Sequence, residues 1–170
     1  MFDLIDWTAH SNALKRHTKH HSTPVKFFHQ LLPLGKQVHR YDPKYPSTCP
    51  SCHTNLEDMA HFWKCQAATR LKWQPQFLKD LKLKLFELGT GPQVRQLLLS
   101  TLRAVLDRED PERIAEDPSV ANICESQRQI RWDQLLKGRF AHEWGTHHRT
   151  QQGTKTKGHT LEHQSDYLYF

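Results

Sequence analysis

The stretch Thr48-Cys49-Pro50-Ser51-Cys52-His53-Thr54-Asn55-Leu56-Glu57-Asp58-Met59-Ala60-His61-Phe62-Trp63-Lys64-Cys65 specifies side-chain chemistry more sharply than any other part of this 170-residue chain. Cys49, Cys52, His61 and Cys65 fall in a C-x2-C-x8-H-x3-C array. The first pair fits a tight turn in which both sulfurs face one point, with Pro50 and Ser51 as turn formers. The second pair has the i, i+4 spacing that puts His61 and Cys65 on one face of a short helix. Three thiolates and one imidazole complete the tetrahedral shell of a structural zinc ion, and a filled shell has no position for substrate. One structural Zn2+ is therefore the expected cofactor, held in a turn-plus-helix clip, and it can supply on the order of 10 kcal/mol of folding free energy.

Three other readings of these residues compete. Disulfides are the first, but the chain opens Met1-Phe2-Asp3-Leu4-Ile5-Asp6, with neither the basic start nor the apolar run of a secretory signal. The expected location is thus intracellular, nuclear or cytoplasmic, where thiols stay reduced. Covalent haem is the second, because Cys49-Pro50-Ser51-Cys52-His53 matches C-x-x-C-H, yet it leaves His61 and Cys65 without a role. In the third, His53 replaces His61 as the fourth ligand, which makes the three cysteines the firmer part of the set. Cys124 stands alone in a later helical segment and reads as a small buried hydrophobe.

Composition sets wider bounds. Hydrophobic residues make up 36% of the chain and the mean hydropathy is −0.78, so the compact part is expected to be smaller than the whole. No segment approaches the roughly 20 apolar residues of a membrane span. Lys plus Arg number 24 against 18 Asp plus Glu, a net charge of +6, and the excess is uneven. Residues 1–45 hold seven basic side chains (Lys15, Arg16, Lys19, Lys26, Lys36, Arg40, Lys44) against three acidic ones, together with six histidines. Residues 107–117 reverse the sign, with six acids against Arg108 and Arg113. A basic arm beside a zinc clip points to RNA or DNA as partner, since lysine and arginine displace condensed counterions from phosphates. Phe62 and Trp63 are the aromatic residues available for stacking on bases. The plainer alternative is a solvated basic helix face.

The pattern along the chain predicts a mainly α fold: a small helical domain with an embedded CCHC zinc knuckle and a disordered C-terminal tail. Residues 1–46 read as basic N-terminal helices, 47–66 as the knuckle, 67–146 as a helical region and 147–170 as the tail. In the first segment, residues 3–20 form an amphipathic helix with Leu4, Ile5, Trp7 and Leu14 inward. Thr23 with Pro24 opens a second helix through Leu31 and Leu32, and Asp42-Pro43-Lys44-Tyr45-Pro46 is an extended linker. The helix bearing His61 and Cys65 is expected to continue past Ala67 toward Trp73, with Pro75 starting the next piece and Gly89-Thr90-Gly91 a stop. Pro92 opens the most periodic segment, in which Val94, Leu97, Leu98, Thr101, Leu102, Val105 and Leu106 recur at three- and four-residue steps. Ser119 caps a last helical region that Gly138 interrupts. From about Thr146 onward the composition cannot bury enough apolar area to offset its ordering entropy.

The run Ile5-Asp6-Trp7, then Lys26-Phe27-Phe28-His29-Gln30-Leu31-Leu32-Pro33, then Cys49-Pro50-Ser51-Cys52, Glu57-Asp58, His61 and Cys65 resembles the C-terminal zinc-binding region that follows the polymerase in non-LTR retrotransposon reverse transcriptases. Ile130-Arg131-Trp132-Asp133-Gln134-Leu135-Leu136-Lys137-Gly138-Arg139 is similar to segments downstream of that motif. The resemblance spans most of residues 3–145, and its specific part is the zinc array with the helix before it. It implies a nucleic-acid-binding module that helps a polymerase engage template RNA or target DNA. Cys49, Cys52, His61 and Cys65 would be the ligands, the basic residues around them the contacts, and a separate reverse transcriptase polypeptide a further partner.

The departures from that family point away from catalysis. The chain has no Tyr-x-Asp-Asp quartet to hold two divalent ions, and Asp110-Pro111-Glu112 reverses the order of the endonuclease Pro-Asp element. Gly89-Thr90-Gly91 is too short for a phosphate loop, and no local geometry selects a Ser, His and Asp triad. His147, His148, His159 and His163 read as part of a solvated polar tail. The expectation is a non-enzymatic module resembling a detached or degenerate terminal segment of an element. A zinc-stabilised structural or protein-interaction domain, with Trp7, Trp63, Trp132 and Trp144 in its core, is the alternative.

Overall fold

Pro92 sets the first turn of the helix on which the fold is built. A proline at this position gives up an amide that has no helical acceptor anyway, and its fixed φ suits the helix start. In the computed structural model, which describes residues 2–16, 22–114 and 117–153 except for the side chains of Arg16, Ser22, Pro24, Phe28 and 148–153, that helix spans Pro92–Asp107. It buries Val94, Leu97, Leu98, Thr101, Leu102, Ala104, Val105 and Leu106, the periodic face expected of it.

The chain is mainly helical, as expected, and no strand forms among the described residues beyond two isolated bridges, Ile5 with Ala141 and Thr48 with Leu56. The α-helices are α1 (Trp7–Arg16), α2 (Ser22–Phe28), α3 (Gly35–Tyr41), α4 (Met59–Lys64), α5 (Ala68–Glu87), α6 (Pro92–Asp107), α7 (Ala121–Ile130) and α8 (His142–Gly153). Short 3-10 turns at Phe2–Leu4, Pro111–Arg113, Pro118–Val120 and Trp132–Lys137 punctuate them. No helix among the described residues is long and apolar enough to cross a membrane.

The core lies where the α5–α6 hairpin meets α7 and the segment 132–144. Leu81 and Leu85 of α5 pack with the buried face of α6, with Ile123, Cys124 and Ile130 of α7, and with Trp132, Leu135, Ala141 and Trp144. Leu85, Leu106 and Ile130 are fully buried, and burying each side chain is worth roughly 1.5–3 kcal/mol. Cys124 sits in this core as a small apolar group, and burial pushes its thiol pKa up. The N-terminal segment closes against the far end of the chain. Asp6 N donates to Phe140 O at 2.9 Å, and His10 Nδ1 donates to Gly138 O at 3.1 Å. Burial lowers the His10 pKa, so the neutral ring is the donor.

Several expectations are corrected. The first helix begins at Trp7 because Asp6 caps it, its carboxylate accepting from Ala9 N at 2.9 Å; residues 17–21 lie outside the described part. Helix α2 stops at Phe28, since Gln30 adopts a left-handed φ of 58°, and Leu31 is left exposed. Helix α3 fills a stretch given no element by the apolar pattern. Asp117, rather than Ser119, caps the segment before α7, accepting from Ser119 N at 2.9 Å. The last helical region breaks at Arg131 (φ 77°) as well as at Gly138 (φ 65°). Helix α8 runs past Thr146 to Gly153, and the remainder of the expected tail, 154–170, lies outside the described residues.

Pro75 lies inside α5 instead of starting a new element. A mid-helix proline removes one amide donor and crowds the carbonyl four residues back, costing about 3 kcal/mol. That carbonyl belongs to Leu71, a residue 41% exposed. The helix is anchored on both sides of the proline. Before it, Gln74 Nε2 donates to Trp63 O at 3.3 Å; beyond it, Leu81 and Leu85 are buried.

Candidate metal centre

The Cys49-Pro50-Ser51-Cys52 turn folds as the spacing requires. His53 N donates to Cys49 O at 2.8 Å, and Ser51 N donates to Cys49 Sγ at 3.4 Å. His53 takes a left-handed φ of 57° and turns the chain back, so that Cys49 N meets Asn55 O at 2.7 Å and Thr48 bridges Leu56. Glu57 and Asp58 then link this turn to two helices. The Asp58 carboxylate accepts from His61 N at 2.9 Å, capping α4 and orienting the helix that carries His61. The Glu57 carboxylate, itself buried, accepts from Gly35 N at 2.7 Å and so binds the first amide of α3. Only glycine fits at position 35, because a Cβ there would stand 2.9 Å from Ser47 O.

These elements bring Cys49, Cys52, His61 and Cys65 together, with one ligand atom from each lying within 4.8 Å of all the others. Cys49 Sγ and Cys65 Sγ are 3.8 Å apart, and Cys52 Sγ is 3.3 Å from His61 Nε2. A tetrahedron with metal–sulfur bonds of about 2.3 Å and a metal–nitrogen bond of about 2.0 Å has S···S edges of about 3.8 Å and S···N edges of about 3.5 Å. The Cys49–Cys65 and Cys52–His61 separations fit those edges, and the four ligand atoms together span at most 4.8 Å. These separations are far too long for a disulfide, whose S–S bond is about 2.05 Å, and all four cysteines are free. The four side chains can therefore hold one metal ion with every position of the shell filled.

His61, not His53, completes the cluster, and His53 is exposed outside it. Cys65 departs from the expected helical pairing. Helix α4 ends at Lys64, and Cys65 is its cap, with extended φ of −66° and ψ of 125°. The extended backbone turns the Cys65 thiol onto Cys49, and α5 restarts at Ala68.

The thiols differ in readiness for a metal. The Thr54 hydroxyl, followed by the Thr54 and Asn55 amides, holds the Cys52 thiol pKa down at about 5. Burial raises the Cys65 pKa. Cys52 is thus a thiolate at neutral pH while Cys65 keeps its proton, so metal binding displaces a proton from the buried ligand and strengthens as pH rises.

Arg70, on α5, braces the site from outside. Its Nε donates to Ser51 Oγ at 3.2 Å, its guanidinium lies 3.9 Å from Glu57 Oε1, and its Cζ stands 4.8 Å from the centre of the Phe62 ring. Arg108 adds a second brace, donating to Lys64 O at 2.6 Å from the C-terminal end of α6. Neither residue carries a local sequence signal. Arg70→Ala is expected to leave one metal per chain at saturation but to weaken metal affinity about fivefold, because it removes one hydrogen bond, worth about 1 kcal/mol net, from Ser51 in the turn that carries Cys49 and Cys52. Competition against a chromophoric chelator measures it.

The expected nucleic-acid contacts separate into groups. Lys26, Lys36, Arg40 and Lys44 are exposed on or beside α2 and α3, the helices that adjoin the knuckle through the Phe27–Trp63 ring contact and the Glu57–Gly35 bond. Lys15 is exposed on α1; the Arg16 side chain and all of Lys19 lie outside the described part. Phe62 and Trp63 are half-buried in a ring ladder: Trp63 meets Phe27, Phe62 and Trp73, and Trp73 stacks on Phe77 at 4.9 Å and 15°. Trp73 is the exposed member of this ladder, at 46%, and the sequence pattern alone did not mark it; Tyr41 and Tyr45, beside Arg40 and Lys44, are exposed as well. Comparison with protein-family models, with curated proteins and with solved structures found no match to this chain.

Proposed function

We propose that the chain is a zinc-stabilised, non-catalytic module that binds single-stranded RNA or DNA, of the kind that follows the polymerase in non-LTR retrotransposon reverse transcriptases. The observation that carries the reading is the closed Cys3His arrangement flanked by exposed Lys26, Lys36, Arg40 and Lys44 and by the exposed ring of Trp73. A thiolate-rich tetrahedral shell suits zinc, which when bound supplies folding free energy and no reactive position. The cations contribute sequence-independent phosphate contacts, and Trp73 offers a flat surface to a base. A separate reverse transcriptase polypeptide remains part of this reading as a partner.

Four phosphate contacts give a slope of about −2.8 in log affinity against log salt for a single strand, or about a 50-fold loss between 50 and 200 mM. An oligouridylate titrated by fluorescence anisotropy measures this slope, and a flat dependence overturns the nucleic-acid reading. Trp73→Ala is expected to weaken the same binding about tenfold or more while leaving the slope unchanged, because stacking releases no counterions.

A further inference from the structure

Helices α5 and α6 present a surface used neither by the metal centre nor by the proposed nucleic-acid contacts. A groove of about 720 Å³ runs between them. Leu78 and Leu99, both half-buried against the core, form its apolar floor with Pro75. Lys79 and Lys82 rise from the α5 side, Arg95 and Arg103 from the α6 side, and no acidic residue lines it. Arg95 is held in place, its Nη1 donating to Thr90 O at 3.4 Å and its Cζ standing 5.4 Å from the Phe86 ring centre. Lys79, Lys82 and Arg103 are exposed, and among the described residues none of the three enters an ion pair.

We propose that this groove docks an amphipathic helix of another protein, with a leucine-type stripe on the floor and Asp or Glu along both flanks. Charge complementarity selects the occupant: cations on both rims, none of them neutralised by an acid in the lining, match a helix that is acidic on both sides of its apolar stripe. The dimensions agree. From Pro92 to Arg103 the α6 wall rises about 16 Å at 1.5 Å per residue, which is three turns of a third helix laid along the hairpin. A nucleic-acid strand fits less well. No aromatic side chain lines the groove for stacking, and phosphate contacts have no use for a leucine floor. The inference stands apart from the nucleic-acid reading, since the two surfaces share none of the residues named for them.

The test uses the full, metal-loaded chain and a fluorescein-labelled designed helix of about four turns, with leucines at i, i+4, i+7 and i+11 and glutamates on both flanks. Two control peptides accompany it, one with the same composition scrambled and one with every glutamate replaced by lysine. The glutamate helix is expected to bind about tenfold or more tighter than either control. The double variant Lys79→Glu with Arg103→Glu, both at exposed positions, is expected to reverse the preference in favour of the lysine helix, with circular dichroism confirming the fold. Equal binding of the scrambled peptide, or a double variant that binds the glutamate helix as the parent does, overturns the proposal. Complete displacement of the glutamate helix by an oligouridylate, lost in the double variant, assigns the groove to nucleic acid and also overturns it.

Discussion

Cys65→Ser is expected to abolish stoichiometric metal binding and unfold residues 35–66 while the core of α5, α6 and α7 stays helical. Cys65 is fully buried, with its sulfur 3.8 Å from that of Cys49. A serine hydroxyl keeps its proton at neutral pH and is a poor replacement for a thiolate ligand. Without the ion, the region keeps its braces from Arg70, Arg108 and the Trp63 ring contacts but loses the centre on which they converge. Helices α3 and α4 have seven and six residues, well short of the roughly 12–15 at which an isolated helix becomes even marginal in water. Bound zinc in such a site contributes on the order of 10 kcal/mol, whereas local hydrogen bonds at about 1 kcal/mol net each do not by themselves offset the roughly 1–2 kcal/mol of backbone entropy lost per ordered residue. The main hydrophobic cluster includes neither Cys49 nor Cys65 and so survives. Metal per chain by elemental analysis and amide exchange along 35–66 against 92–107 give the readout. Cys124→Ser is the control: it should keep the full metal content and instead weaken the core by about 1–3 kcal/mol, because it buries a hydroxyl in apolar surroundings. One ion per chain and a protected knuckle in Cys65→Ser would rule out the Cys3His centre.

The ligand set was legible in the sequence because its information is local, carried by two short pairs and an eight-residue spacer. Helix α6 was legible for a similar reason, since Val94 through Leu106 repeat at the helical period and Pro92 marks the start. What escaped depends on partners distant in the chain. Gly35-Lys36-Gln37-Val38-His39-Arg40-Tyr41 has no apolar stripe, and α3 is organised by a carboxylate 22 residues away at Glu57. Pro75 looks like a helix breaker until Gln74 is seen bound to Trp63 and Leu81 and Leu85 are seen buried. Arg70 and Trp73 sit in a stretch that reads only as a polar helix, yet their roles come from Ser51, Glu57 and Trp63. The basic N-terminal segment was legible as composition but not as one surface. Lys26, Lys36, Arg40 and Lys44 belong to the elements around the knuckle, while α1, which carries Lys15, hydrogen-bonds to the 138–140 segment.

Gln127→Leu is expected to destabilise the core by about 3 kcal/mol or more, although leucine is apolar and similar in size. Gln127 stands in the polar run Cys124-Glu125-Ser126-Gln127-Arg128-Gln129 and is nevertheless completely buried, at 0% exposure. Its Oε1 accepts from Trp144 Nε1 at 2.9 Å and from Ala141 N at 3.2 Å. Its Nε2 donates to Arg131 O at 3.2 Å and faces Arg139 O at 3.5 Å. One amide thereby ties α7 to the break at Arg131, to the Arg139 carbonyl and to α8. Leucine would fill the space but leave the Trp144 indole and the Ala141 amide without an acceptor, at about 1–3 kcal/mol for each orphaned group. Its extra apolar contact offsets only part of that, because the side chain already excludes water. For a domain of this size the loss corresponds to a fall in Tm of about 6–12 °C. The exposed neighbour substitution Gln129→Leu should stay within about 0.5 kcal/mol. Urea unfolding followed by tryptophan fluorescence separates the two outcomes. Chelating the metal should leave the difference between the two variants in place, because Gln127 and the Cys3His cluster share no hydrogen-bond partner. Equal stabilities for the two variants would show that the four-way amide junction contributes nothing to holding α7 and α8 together.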